Sequence, residues 1–136
     1  MKRTCFGALT LLVLALVVST GFAQSQERAD VPFAFLVGDH ALPAGSYTLV
    51  EVSDRVMRIR NDATNECVMV LVQNEDSMKP KAPRLVFHKN GDRYFLAEAW
   101  TATGAEVEFR AGSLERETRT AAAQTPGVTD VVIAMR

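Results

Sequence analysis

The two histidines are the side chains in this sequence best suited to metal binding or proton transfer. His40 follows Asp39, and His88 lies four residues before Asp92. Imidazole and carboxylate groups bind zinc when they occur at short, regular spacings. The sequence contains no CxxC, HxH or HExxH motif. We therefore interpret both histidines as ordinary polar residues near turns, and we predict no metal site and no cofactor.

A cysteine beside a histidine would be the simplest nucleophile that this chain could build. Such a thiol has to be exposed and close to its base. Cys67 is followed by Val68-Met69-Val70-Leu71-Val72, which is apolar on both faces of a strand. That pattern favours a buried thiol, with an intermolecular disulfide or a reactive thiol as the alternatives.

Glu98 is an acid at a position where an apolar residue is expected, between Leu96 and Trp100. An ion pair with Arg58 or Arg60 on another strand, or a surface position, explains it better than a role as catalytic acid. The sequence also lacks a GxSxG nucleophile motif and a glycine-rich phosphate loop. These observations predict a protein that is not an enzyme.

Residues 1–23 have the order of a secretory signal peptide. Lys2 and Arg3 precede an apolar stretch from Cys5 to Val18, and Gly21-Phe22-Ala23 supplies a small-residue cleavage site. The apolar stretch is shorter than the roughly 20 residues that a transmembrane helix needs. We expect cleavage after Ala23, export to the periplasm or the outside of the cell, and no transmembrane segment in the mature chain.

Charge and cysteine content limit what the exported part can be. The chain has 15 Lys and Arg against 16 Asp and Glu, and cleavage would remove two of the basic residues. A nucleic-acid binder shows a basic excess, so nucleic acid is not an expected partner. Cys67 would be the only cysteine left, so no intramolecular disulfide can form and an apolar core has to hold the domain together.

Short strands separated by turn residues organise the rest of the sequence. Residues 24–30 are polar and predict a mobile lead-in, and residues 31–136 predict a single β-rich domain. Asn90-Gly91 predicts a type I′ hairpin turn, and Ser113–Ala123 predicts a short helix capped by Ser113. The predicted strands are Val31–Val37, Tyr47–Val52, Val56–Arg60, Cys67–Gln73, Arg84–Lys89, Arg93–Trp100, Glu106–Arg110 and Val128–Met135.

These elements predict an all-β, mainly antiparallel fold. It would be a small β-sandwich or β-barrel of about seven or eight strands, with one short C-terminal helix. The sequence does not choose between sandwich and barrel, and it does not give the oligomeric state.

Three segments together resemble a family of small exported bacterial proteins. They are Val31-Pro32-Phe33-Ala34-Phe35, Leu42-Pro43-Ala44-Gly45-Ser46-Tyr47-Thr48, and the stretch VFHKNGDRYFL from Val86 to Leu96. The family pattern is VPFxFxVG…LPAGxYT…VFHxxGxRYFL…W, and the match runs from about Val31 to Trp100. The resemblance implies a bacterial source and an envelope or extracellular location. It carries over no catalytic residue.

The leading functional hypothesis is a non-enzymatic exported β-domain that binds or supports an envelope or extracellular protein or polymer. The docking surface would be a sheet edge near Pro32 or the polar loop from Asn74 to Ala82. A carrier of a small apolar ligand is the first alternative, and a small hydrolytic or redox enzyme is the second. The carrier's cavity would be lined by aromatic side chains, namely Phe33, Phe35, Phe87, Phe95 and Trp100.

Overall fold

The computed structural model describes residues 26–75, 82–122 and 127–136. The predicted signal peptide and most of the predicted polar loop from Asn74 to Ala82 lie outside these residues. The strands are β1 Gln26–Val31, β2 Phe35–Val37, β3 His40–Leu42, β4 Gly45–Ser53, β5 Val56–Asn61, β6 Cys67–Glu75, β7 Arg84–Asn90, β8 Arg93–Trp100, β9 Glu106–Phe109 and β10 Thr129–Ala134, and the helix is α1 Ser113–Ala122.

The strands described form one mostly antiparallel ten-stranded sheet. The order β1-β4-β5-β6-β9-β8-β2-β3 follows its main path, and β7 pairs with β8 and carries β10 on its other side. β1 also meets the end of the chain just after β10. Ala29 and Met135 form a single bridge there, and Arg28 and Arg136 exchange two backbone hydrogen bonds of 2.9 and 3.0 Å. The predicted fold class, mainly antiparallel β with a short C-terminal helix, is confirmed.

β6 joins the two halves of the sheet. Its first five residues, from Cys67 to Leu71, pair with β5, and the stretch from Val72 to Glu75 pairs with β9. A strand that changes partners in this way lets a sheet turn a corner and enclose its own apolar face. The core therefore contains side chains from both halves of the sheet.

Aromatic rings fill the centre of that core. Phe87 is fully buried, and its ring meets Phe33 and Phe35 edge to face at centroid distances of 5.1 and 5.3 Å. Phe33 also stacks on Tyr94 at 3.8 Å, and Phe35 meets Tyr47 at 5.2 Å. Edge-to-face and stacked rings add attraction beyond the area that they bury.

The β7–β8 hairpin forms where the sequence predicts it, with its turn moved by one residue. Asn90 pairs with Arg93, so the two loop residues are Gly91 and Asp92. Gly91 has a φ of 59°, whereas Asp92 is not among the residues with positive φ. Positive φ at the first loop residue alone matches a type II′ turn, which favours glycine there.

A bulge near the middle of the same hairpin changes which side chains face the core. Val86 pairs with Glu98 but Phe87 pairs with Leu96, so Ala97 is the extra residue. Leu96 and Ala99 both join the core even though they are three positions apart. Simple alternation along a strand fails at such a bulge.

The N-terminal part of the domain differs from the prediction. The expected lead-in at 24–30 contains β1, and the expected strand Val31–Val37 is broken after Val31, so that β2 begins at Phe35. Pro32 has no N–H to donate, which explains the break. The sequence does not predict β1 because its inward-facing side chains, Glu27, Ala29 and Val31, form only a weak apolar pattern.

β6 is not buried on both faces. Val70 and Val72 face the core, whereas the side chains of Met69 and Leu71 remain 58% and 55% exposed. The prediction of a buried Cys67 is wrong, because this residue shares the outward face and is exposed. The short helix packs on β7 instead of covering this face.

No helix in the residues described is long and apolar enough to cross a membrane.

Candidate functional site

A contact between distant parts of the chain fixes the start of α1. Asp39, in the turn between β2 and β3, accepts hydrogen bonds from the Ser113 backbone N–H (2.7 Å) and from the Ser113 hydroxyl (2.9 Å). These two hydrogen bonds are the main reason that the pKa of Asp39 lies below its usual value. The carboxylate that satisfies the first turn of the helix is thus Asp39, not a local cap supplied by Ser113.

A groove opens beside this contact. It is bounded by the β2–β3 turn, by β6, by the end of β9 and by the start of α1, and its volume is about 360 Å³. Met69 and Leu71 supply its exposed apolar wall. We call this feature the β6 groove; it is lined by Val37, Gly38, Asp39, His40, Met69, Val70, Leu71, Phe109, Arg110, Ala111, Gly112 and Arg116.

Arginines stand on both sides of the apolar wall. On β5, Arg58 pairs directly with Met69, and side chains opposite each other in antiparallel strands lie on the same face. On the other side, the Arg110 N–H donates to the Leu71 carbonyl at 3.4 Å, and Arg116 lines the groove from α1. Within the residues described, no salt bridge involves Arg58, Arg110 or Arg116.

Among the residues described, one carboxylate lines the β6 groove, and it is already engaged. Asp39 is held by Ser113, and nearby Arg116 and His40 also contribute to the lowered pKa of its carboxyl group. Arg110 also lines the groove, so three basic side chains and one acid line it among the residues described. The groove combines exposed apolar side chains with a positive rim.

A second, smaller depression has a different character. It measures about 190 Å³ and lies on the outer face of β8 and β9 beneath α1. It contains the carboxylates of Glu98, Glu108 and Glu115, and Arg110 lines both this depression and the β6 groove. Glu98 and Glu108 are direct cross-strand partners, an arrangement that repels. The Trp100 indole N–H donates to Glu98 Oε2 at 3.4 Å. We call this depression the carboxylate cavity.

α1 is attached to the sheet beside this cavity through polar contacts. Glu115 is 7% exposed, and its Oε1 lies 2.9 Å from Arg119 and 3.5 Å from His88 Nδ1. On the other side of the ring, His88 Nε2 lies 3.8 Å from Asp130 on β10. The contact with Glu115 is the largest cause that raises the pKa of His88, and Asp130 raises it further, while burial and Arg119 oppose the rise.

The raised pKa of His88 makes part of the stability depend on pH. Below about pH 6.5 the imidazole is charged in both the folded and the unfolded chain, so its stabilising contribution is fully present. That contribution disappears as the pH rises through the higher pKa of the folded protein. We expect His88→Gln to cost up to about 1 kcal/mol of unfolding free energy near pH 5.5, and to cost less near pH 8.5, because the site is partly exposed.

Urea unfolding at the two pH values measures this difference, and His40→Gln on exposed β3 is the matched control. An equal cost of His88→Gln at both pH values would contradict the pH-dependent pairing.

The predicted site residues do not come together around one cavity. Phe33, Phe35 and Phe87 pack against one another in the core, and Phe95 and Trp100 are buried outside that cluster. None of the five lines the β6 groove or the carboxylate cavity.

The polar candidates are also separated. His40 lies at the β6 groove and His88 at the carboxylate cavity, while the Cys67 thiol donates to the Asn65 carbonyl at 3.6 Å. Glu98 contacts Trp100, not the expected arginines, and Arg60 lies 3.7 Å from Asp62. The residues described hold no group of three or more His, Cys, Asp or Glu side chains placed to bind a metal ion.

Sequence reasoning missed the residues that build the β6 groove. Arg110 and Arg116 look like ordinary surface residues in a sequence, and their approach to Met69 and Leu71 depends on pairing between distant strands. The local signal in the sequence was the apolar outward face of β6, a pattern that predicts burial.

The chain was also compared with known proteins. No protein-family model matches the chain, and neither a search of curated proteins nor a search of solved structures finds a match.

Proposed function

We propose that this protein is an exported, non-enzymatic binding domain that holds an envelope or extracellular component on its β6 groove. The observation that carries the proposal is the exposure of Met69 and Leu71, each more than half accessible, on a strand in the middle of the sheet. Large apolar side chains grouped beside a concave surface are typical of interaction sites. Methionine adapts its shape to a partner, which suits it to such a surface.

Export and location are part of the proposal and are supported by the sequence. The charged start, apolar stretch and small-residue site of residues 1–23 are typical of a secretory signal. The resemblance to small exported bacterial proteins points to the same compartment.

The carrier alternative has less support. Three of the five aromatic side chains proposed to line its cavity pack ring against ring at 5.1 and 5.3 Å. Rings in such contact fill space and leave no room between them for a ligand.

The enzyme alternative would have to use the carboxylate cavity. Two of its three acids already have partners, because Glu115 contacts Arg119 and His88 and Glu98 contacts Trp100. Glu115 is explained by the attachment of the helix and Glu98 by its contact within β8, so catalysis is not needed to account for them.

Site-specific crosslinking tests the binding function. A photoreactive phenylalanine analogue replaces Leu71 in the exported protein, and a matched variant carries it at Arg93, which is exposed at the β7–β8 hairpin away from the groove. On illumination in producing cells, we expect one discrete covalent adduct from position 71 and none from position 93. The adduct is identified by mass spectrometry, and Met69→Asp is expected to abolish it.

Equal labelling from both positions, or no adduct at position 71, would overturn the assignment of the β6 groove as the docking site.

A further inference from the structure

We infer that the occupant of the β6 groove is a peptide segment of a partner protein in which apolar residues lie between acidic ones. This inference rests on the proposed function and names the chemistry of its partner. It is carried by the positions of three arginines around two exposed apolar side chains.

The apolar part of the segment is specified by β6. Met69 and Leu71 are two residues apart on one face of the strand, and Val56 on β5 pairs with Leu71 to extend the apolar surface sideways. Apolar side chains of a partner would gain binding free energy when this wall removes them from water.

The arginines at the rim of the groove are the reason to expect acidic residues in the segment. Arg58 lies on the β5 side of Met69, and Arg110 and Arg116 lie on the opposite side. None of them forms a salt bridge within the part of the chain that the structure describes. Arg110 also borders the carboxylate cavity and Arg116 lies near Asp39, but Asp39 already accepts two hydrogen bonds from Ser113. Guanidinium groups bind carboxylates with two parallel hydrogen bonds, so acids on both sides of the apolar pair would find partners.

A peptide fits this surface better than a membrane does. A bilayer is engaged by apolar side chains that protrude from a convex surface or an amphipathic helix. Here the apolar wall borders a recess closed on one side by the β2–β3 turn and on another by α1. A short segment can enter such a recess, whereas a flat headgroup layer would meet only its rim.

Fluorescence anisotropy with a synthetic peptide tests the inference. The probe is a fluorescein-labelled peptide with two leucines between pairs of glutamates, and the control peptides replace the glutamates with lysines or the leucines with serines. We expect the glutamate–leucine peptide to bind the mature protein at least about tenfold more tightly than either control. Added salt should weaken the binding because the arginines are exposed.

Charge reversal then locates the site. The double variant Arg110→Glu with Arg116→Glu is expected to bind the glutamate–leucine peptide about tenfold or more weakly and the lysine–leucine peptide more tightly. Arg93→Glu changes an exposed arginine outside the groove and is expected to leave the affinity for both peptides unchanged. A reversed preference requires a folded protein, so it cannot arise from unfolding of the variant.

The outcomes separate this inference from the proposed function. Equal affinity for all three peptides overturns the inference, and so does binding only to vesicles of phosphatidylglycerol. A position-specific crosslink at residue 71 to a component of different chemistry, or to a second copy of this chain, overturns the inference and leaves the binding function standing. If no crosslink forms at residue 71 and the glutamate–leucine peptide does not bind, both the inference and the proposed binding function are overturned.

Discussion

Replacing Phe87 by alanine is expected to lower the free energy of unfolding by about 3–5 kcal/mol, the usual cost of removing a buried aromatic ring. The side chain is completely buried, and its ring meets those of Phe33 and Phe35. Truncation removes the apolar burial of the ring and leaves a cavity that neighbouring rings can fill only in part. Since a domain of this size has only about 5–15 kcal/mol of stability, the variant would be close to unfolding.

Urea denaturation of the mature protein measures the effect. Phe87→Leu keeps most of the side-chain volume and is expected to lose clearly less, which gives a measurable value even if the alanine variant does not fold. Val132→Ala on β10 is the control, because Val132 is 55% exposed and surface changes usually stay within about 0.5 kcal/mol.

The same measurement bears on the carrier alternative. A ring that lined an empty ligand cavity would have lost few packing contacts on truncation, so its removal would cost little. A loss below about 1 kcal/mol for Phe87→Ala would contradict the packed aromatic core described here and would support the carrier. A loss of several kcal/mol would weaken the carrier further.

The parts of the fold that sequence predicts well are those decided by local chemistry. β5 alternates apolar and basic residues from Met57 to Arg60, and the structure buries Met57 and Ile59. Gly91 supplies the positive φ that the hairpin needs. At the C-terminal end, Val131, Ile133 and Met135 alternate with other residues, and the structure packs all three against the core.

The parts that sequence misses depend on distant partners. Glu27 is buried in β1 and accepts a hydrogen bond of 2.6 Å from the Ala102 N–H, 75 residues away. Burial is the largest influence on its carboxyl group and raises its pKa. A polar residue facing inward hides the β1 strand from any search for apolar alternation.

The candidate site is hidden from sequence for the same reason. An apolar outward face on β6 predicts burial only if another element covers it, and sequence does not show where a short helix will pack. Here α1 lies over β7 and is tied to Asp39 at its start. That placement leaves Met69 and Leu71 exposed and brings Arg116 to the edge of the β6 groove.

Replacing Gly112 by alanine is expected to lower the free energy of unfolding by about 3 kcal/mol or more, because there is no space for a methyl group. A Cβ at this position would overlap the carbonyl oxygen and carbon of Gly38 and would lie 2.7 Å from Asp39 Oδ1. The first two atoms are backbone and cannot swing aside. To accept alanine, the β2–β3 turn would have to move away from the start of α1.

Gly91→Ala separates this packing effect from the backbone cost of losing a glycine. Gly91 has a φ of 59° and nothing within 4 Å of an added Cβ, so its replacement is expected to cost backbone strain alone, about 1–3 kcal/mol. Urea unfolding compares the two variants. If Gly112→Ala lost no more stability than Gly91→Ala, the close contact between the turn and the helix start would be contradicted.

The contact between the β2–β3 turn and the start of α1 also forms one wall of the β6 groove. A destabilised but folded Gly112→Ala variant should therefore bind the glutamate–leucine peptide more weakly, whereas Gly91→Ala should bind it normally.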